Sequence, residues 1–198
     1  MDMRRLDRQL QFILEADRVK QVIRRTLLLD GSRLENDAEH SWHAALAAMV
    51  LSEYANQPEL DLGRVIKMLT IHDMVEIDAG DTYAYDEAAH LDKEERELKA
   101  AERIFGLLPE DLGAEMRGLW DEFEAQDTPE AKFAGAMDCF MPLLHNYVTQ
   151  GAQWRKHGVS RDQVLARNHA RIAGGSTGLA DYVRQLVAEA VEKGYLLP

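Results

Sequence analysis

Cysteine occurs once in the 198 residues, as Cys139. A lone cysteine excludes an intrachain disulfide and any zinc site built on cysteine pairs. Positive charge is also scarce. The 23 Lys and Arg against 35 Asp and Glu leave a net charge of -12, which argues against a nucleic-acid backbone or an anionic membrane as the main partner. An anionic substrate would therefore need local positive charge or a metal ion. No apolar run approaches the roughly 20 residues that span a bilayer. The opening residues Met1 to Leu6 lead into a charged amphipathic run rather than an apolar signal region, so the expected location is cytoplasmic. Convincing period-two alternation, internal repeats, low-complexity tracts and linkers are absent too.

What is present is helical spacing. With 46% hydrophobic and 29% charged residues, the chain has the composition of a globular protein. Its length suits one domain over 1–198. Leu6, Leu10, Ile13 and Leu14 share a helical face, and Val19, Val22, Ile23 and Leu27 begin a second apolar set. Asn36 or Asp37 is the expected cap of a helix carrying Ala44, Ala48 and Leu51, apolar nearly all round and hence central. A further helix is expected from about Leu62 to Ile77. Asp92 with Glu95, and Ser160 with Gln163, have capping-box spacing. Thr128-Pro129-Glu130 is a strong helix start. The expected fold is all-α, with about seven or eight helices.

One stretch stands apart: Ile71-His72-Asp73-Met74-Val75-Glu76, followed by Gly80-Asp81. His72 shares its helical face with Val65, Met68 and Leu69, so it points into the core. A buried imidazole beside a buried carboxylate costs several kcal/mol unless a cation or hydrogen bonds hold the pair. His40, in the first turn of the central helix, and Asp138, on an otherwise apolar face, are the other candidates. Each residue alone is commonly structural. Together, two imidazoles and two carboxylates on three helices suit one divalent ion (Mn, Co, Mg, Zn, Fe or Ni) and leave coordination positions for water and substrate. Pro142, four residues after Asp138, predicts a kink or break there. His43 is expected to be structural, and no second His-rich motif accompanies it or His90. Trp42, Tyr83, Tyr85 and Trp154 are candidates for stacking on a base, or for simple packing.

Ala38-Glu39-His40-Ser41-Trp42, His72-Asp73 with Glu76, Gly80-Asp81, and Lys132-Phe133 leading to Asp138 together resemble the HD superfamily of metal-dependent phosphohydrolases. The likeness is closer to its 5′-deoxynucleotidase branch, and extends through Pro142 to Tyr147, Gly151 to Trp154 and Arg167-Asn168. The resemblance implies His40, His72, Asp73 and Asp138 as metal ligands, with Glu76 and Asp81 positioning water and moving protons. It implies a phosphate-binding arginine, best matched by Arg24 with Arg25 and Arg33 as rivals; among the stacking aromatics, Trp42 is the candidate for substrate contact. The resemblance also implies a nucleoside 5′-monophosphate substrate and a homodimer. The alternatives keep the site and change its use. They are hydrolysis of a triphosphate, cyclic dinucleotide or guanosine alarmone, or nucleotide binding without turnover.

Overall fold

The computed structural model describes residues 3–82, 85 and 91–198. Its α-helices are α1 (Met3–Ala16), α2 (Asp37–Leu51), α3 (Leu62–Ile71), α4 (Glu76–Ala79), α5 (Lys93–Phe105), α6 (Glu110–Ala125), α7 (Pro129–Val148), α8 (Ala152–His157), α9 (Arg161–Gly175) and α10 (Thr177–Glu192). Two short antiparallel strands, β1 (Ile23–Leu27) and β2 (Leu34–Asn36), form the one sheet among the described residues. Tyr83 and His90 lie outside the described residues.

Local chemistry sets the helix starts. The Asn36 side chain accepts from the Glu39 backbone N–H at 3.0 Å, while the Glu39 carboxylate accepts from Asn36 N–H at 3.1 Å. This reciprocal pair fixes the start of α2, and His40 with it. Ser160 and Gln163 make the same box before α9. Thr128 caps α7, with Pro129 in the first turn. The expected box at Asp92 is different: no side-chain hydrogen bond caps α5 there. Asp92 instead accepts from Arg96 Nε at 3.0 Å, one turn on.

α7 occupies the centre, packed against α2, α3, α6, α9 and α10. Its Phe133, Met137, Phe140, Met141 and Leu143 are buried together with Val65, Met68 and Leu69 of α3 and Ala44 and Ala48 of α2. Small residues bring the helices close. A Cβ at Gly175 would run into the Lys132 backbone carbonyl, so α9 meets α7 at backbone distance.

Three expectations are corrected. The apolar set from Val19 to Leu27 is not helical. After a short 3-10 turn over Asp17–Gln21 it becomes β1, where Arg24 and Thr26 turn inward and Ile23 and Arg25 outward. The expected helix from Leu62 to Ile77 divides: α3 ends at Ile71, a 3-10 turn covers His72–Val75, and α4 follows. Finally, α7 is not broken after Asp138 but runs on through Pro142 as one helix. A helical proline costs about 3 kcal/mol. Burying Phe140, Met141 and Leu143 contributes about 1.5–3 kcal/mol each, so packing outweighs the lost backbone bond.

Candidate metal centre

Every residue from Ile71 to Glu76 is buried. The tighter 3-10 winding at His72–Val75, which interrupts α-helical geometry where functional groups cluster, turns both His72 and Asp73 toward α2 and α7. His40 Nε2 lies 3.1 Å from Asp138 Oδ1 and 3.9 Å from Asp73 Oδ2. His72 Nε2 lies 3.2 Å from Asp73 Oδ1 and 3.6 Å from Asp138 Oδ1. Four side chains from α2, the 3-10 turn and α7 thus converge.

The donor set fits a divalent cation. His72 Nδ1 lies 2.9 Å from the Leu69 carbonyl, which can only accept, so Nδ1 carries the proton. In the neutral ring Nε2 then presents a lone pair to two carboxylates, and it has no hydrogen-bond partner in the described residues. Ligands bound at about 2.1 Å lie about 3.0–3.4 Å apart in octahedral or tetrahedral geometry, close to the spacings found. The electrostatics agree. Burial opposes a charge on His72, yet Asp73 and Asp138 push its pKa up to about 10. Burial likewise opposes ionisation of Asp138, and the imidazoles of His40 and His72 nevertheless hold it well below the usual carboxylate range. The cluster demands positive charge.

Around it stands a second layer that the sequence reading missed. Glu35, 2% exposed, places Oε1 at 3.7 Å from His40 Nδ1 and 3.6 Å from Arg24 Nε. Asp37, fully buried, lies 3.1 Å from Arg24 Nη1, which also meets Asp73 Oδ2 at 2.8 Å. Asp37, Asp73 and Glu76 form another close acidic group, and the Arg24 guanidinium is the cation beside it. Arg171 stacks over Phe123 at 5.1 Å and comes within 3.9 Å of Asp138 Oδ2. Glu35 is the middle residue of the three-residue β2, whereas Asp37 is the first residue of α2 and was legible only as a candidate helix cap. Arg171 gave no signal beyond helical phase.

The cluster opens into a cleft lined by Arg24, Asp73, Glu76, Asp81, Lys93 and Asp138, among others. Glu76 is 6% exposed. Burial, then the neighbouring Asp73 and Asp37 carboxylates, hold its pKa well above the ordinary value. Burial also raises Asp81, with Arg24 opposing. Arg24 therefore faces the cleft as expected, though it is already ion-paired. Arg25 lines the cleft as well, whereas Arg33 pairs with Glu39 on the surface. Tyr85 is on the cleft wall. Trp154 is 1% exposed, within the core. Trp42 is not on that wall: it is 66% exposed and stacks on His43. His43 Nδ1 is 3.2 Å from His145 Nε2, which turns it away from the four-residue cluster.

The HD domain family matches residues 16–179. Human 5′-deoxynucleotidase HDDC2 is 35% identical over 136 residues, covering 68% of this chain and 65% of the human protein. The mouse protein of that name is 37% identical over 110 residues, or 55% of this chain and 53% of its own length. The matched stretches thus span half to two thirds of these relatives. A crystal structure of a predicted metal-dependent phosphohydrolase from Magnetospirillum magnetotacticum MS-1 is 54% identical. It superposes with a TM-score of 0.93, covering 98% of this chain and 96% of that one. This chain belongs to the HD domain family.

Proposed function

We propose that this protein is a metal-dependent phosphohydrolase that converts (deoxy)nucleoside 5′-monophosphates to nucleoside and phosphate, acting over residues 1–198 as one domain in the cytoplasm. The observation that carries this reading is the convergence of two imidazoles and two carboxylates at the floor of a cleft that also holds two further acids, Glu76 and Asp81. The names of the human and mouse relatives support the substrate class.

His40, His72, Asp73 and Asp138 would hold one divalent ion. Such an ion supplies Lewis-acid polarisation of a phosphoryl oxygen and a lowered pKa for water. Glu35 orients the His40 ring from behind, as carboxylates commonly do for metal-binding histidines. Glu76 in its ionised form, made a stronger base than an ordinary carboxylate by burial and the neighbouring Asp73 and Asp37, accepts the proton of the attacking water. Asp81 delivers a proton to the departing sugar alkoxide. Arg24, Lys93 and Arg171 offset phosphate charge on a chain that is otherwise strongly acidic. Glu76→Gln keeps the size of the side chain and removes its basicity. It should lower kcat about 10²–10⁴-fold, the usual worth of a positioned base, with little change in Mn²⁺ affinity. The check is phosphate release from a panel of monophosphates with Mn²⁺, Co²⁺ or Mg²⁺. No release from any monophosphate, or full activity in Glu76→Gln, would sink the reading.

The protein is further proposed to act as a homodimer joined through α2. Trp42, Leu46, Met49 and Val50 are exposed along one stripe of that helix, and no charged residue occurs between Ser41 and Ser52. On a chain with net charge -12, an uncharged apolar stripe is where two copies meet with least repulsion. Val50→Glu should halve the mass found by light scattering. An unchanged mass would remove α2 as the contact.

A further inference from the structure

The cleft that holds Asp73 and Asp138 also follows α7 to Asn146, and three carboxamides stand in its lining. Asn146 of α7, Gln153 of α8 and Asn168 of α9 line the same cavity as Asp73 and Asp138. Gln153 and Asn168 are each 8% exposed. Asn146 Nδ2 donates to the Pro142 carbonyl at 2.9 Å. Because that carbonyl can only accept, the amide orientation is fixed. Its other end, Oδ1, is buried with no hydrogen-bond partner among the described residues, and so is Gln153 Oε1. Asn168 is anchored in the same way, with Nδ2 donating to the Val164 carbonyl at 2.9 Å. Buried polar atoms in folded proteins are nearly always satisfied. Two orphaned acceptors on residues of one cavity wall mark a place for a ligand's donors.

Distance selects the donor. Asn146 follows Asp138 by eight residues on one uninterrupted helix, about 12 Å along the axis at 1.5 Å per residue. A sugar hydroxyl lies too near its own 5′-phosphate to bridge that span, whereas the outer edge of a nucleobase reaches it. Pro142 and Leu143 line the cavity between the two ends, an apolar floor for sugar and base. We infer that Asn146 and Gln153 form a base-reading wall that accepts hydrogen bonds from an exocyclic amine. The protein then prefers adenine and cytosine nucleotides to their hypoxanthine and uracil counterparts. The inference deepens the nucleotide reading of the site and rests on it. A wall built for an N–H donor discriminates strongly, since the analogue without it leaves buried acceptors unpaired.

The test uses the wild-type full chain and two pairs that differ by one amine-to-oxo exchange: dAMP with dIMP, and dCMP with dUMP. Phosphate release gives kcat/KM for each. Calorimetry with deoxyadenosine and deoxyinosine reads the wall without turnover. The amine-bearing member of each pair should be favoured at least tenfold, and Gln153→Leu or Asn146→Leu should draw the ratio toward one. Equal release from both members together with equal binding, or no binding of either nucleoside, would overturn the wall. So would a preference that follows the 3′-hydroxyl, seen as dAMP differing from 2′,3′-dideoxy-AMP while the amine pairs do not differ. Equal release in both pairs would still leave the hydrolase standing. Tighter binding of deoxyadenosine without release of phosphate from any monophosphate would do the reverse, sinking the hydrolase and supporting the wall.

Discussion

Replacing Asp73 by alanine is expected to lower kcat/KM for phosphate release by about 10³-fold or more, equivalent to about 4 kcal/mol of transition-state stabilisation. Asp73 ties both imidazoles of the cluster to Arg24. Asp73 faces His72 Nε2 at 3.2 Å and His40 Nε2 at 3.9 Å, and its second oxygen receives Arg24 at 2.8 Å. Its loss opens the cluster and releases Arg24 together. Mn²⁺ affinity should fall in parallel with activity. Arg25→Ala, on the outward face of β1, should leave metal affinity unchanged. Activity of Asp73→Ala within tenfold of wild type would show that the cluster is not the reacting centre.

Arg24→Met should produce the largest loss of stability. The guanidinium lies within 3.6 Å of Glu35, 3.1 Å of Asp37 and 2.8 Å of Asp73, all buried. Removing the cation from a buried ionic group costs about 3–5 kcal/mol, because the remaining charges stay desolvated. At about 1–3 kcal/mol per molar urea, the unfolding midpoint should fall by at least about 1 M. The loss should depend on pH. Burial first, then Asp73, pushes the Asp37 carboxyl up to about 7, above the ordinary 3.8. A group raised in this way contributes stability below its unfolded value, and the contribution is lost as pH rises through about 7. Without Arg24, which opposes that rise, the deficit should be larger at pH 8.5 than at pH 6. Chemical denaturation at the two pH values checks this, and equal deficits would contradict it.

Much of this protein could be read before its fold was known, for identifiable reasons. The caps at Asn36, Thr128 and Ser160 are local chemistry, and they placed α2, α7 and α9 correctly. His72 was legible because a polar residue on an apolar helical face has to be explained. What failed depended on tertiary contacts. Val22 to Leu27 fits helical spacing, yet its Val-Ile-Arg-Arg-Thr run is also strand-like, and pairing with β2 decided between them. Pro142 reads locally as an interruption, and burial on several sides of α7 overrode it. Trp42 adjoins His40 in the chain by only two positions, but that step of about 200° turns it from core to surface. Glu35, Arg171 and Gln153 carried no local mark, because their meaning comes from the partners that the fold brings to them.

In the proposed centre His40, His72, Asp73 and Asp138 hold a single divalent ion. Calorimetric titration of metal-free protein with Mn²⁺ tests it most directly. In the metal-free state the His72 pKa stands at about 10, so its proton is bound below that pH and has to leave when an ion takes Nε2. The expected result is one Mn²⁺ per chain, with affinity that rises from pH 6.5 to pH 8. Proton release should appear as a dependence of the binding enthalpy on the buffer. His72→Ala and Asp138→Ala should each weaken binding at least about 100-fold, or about 2.7 kcal/mol. Binding of the same strength in both variants, or none in the wild type, would contradict the account.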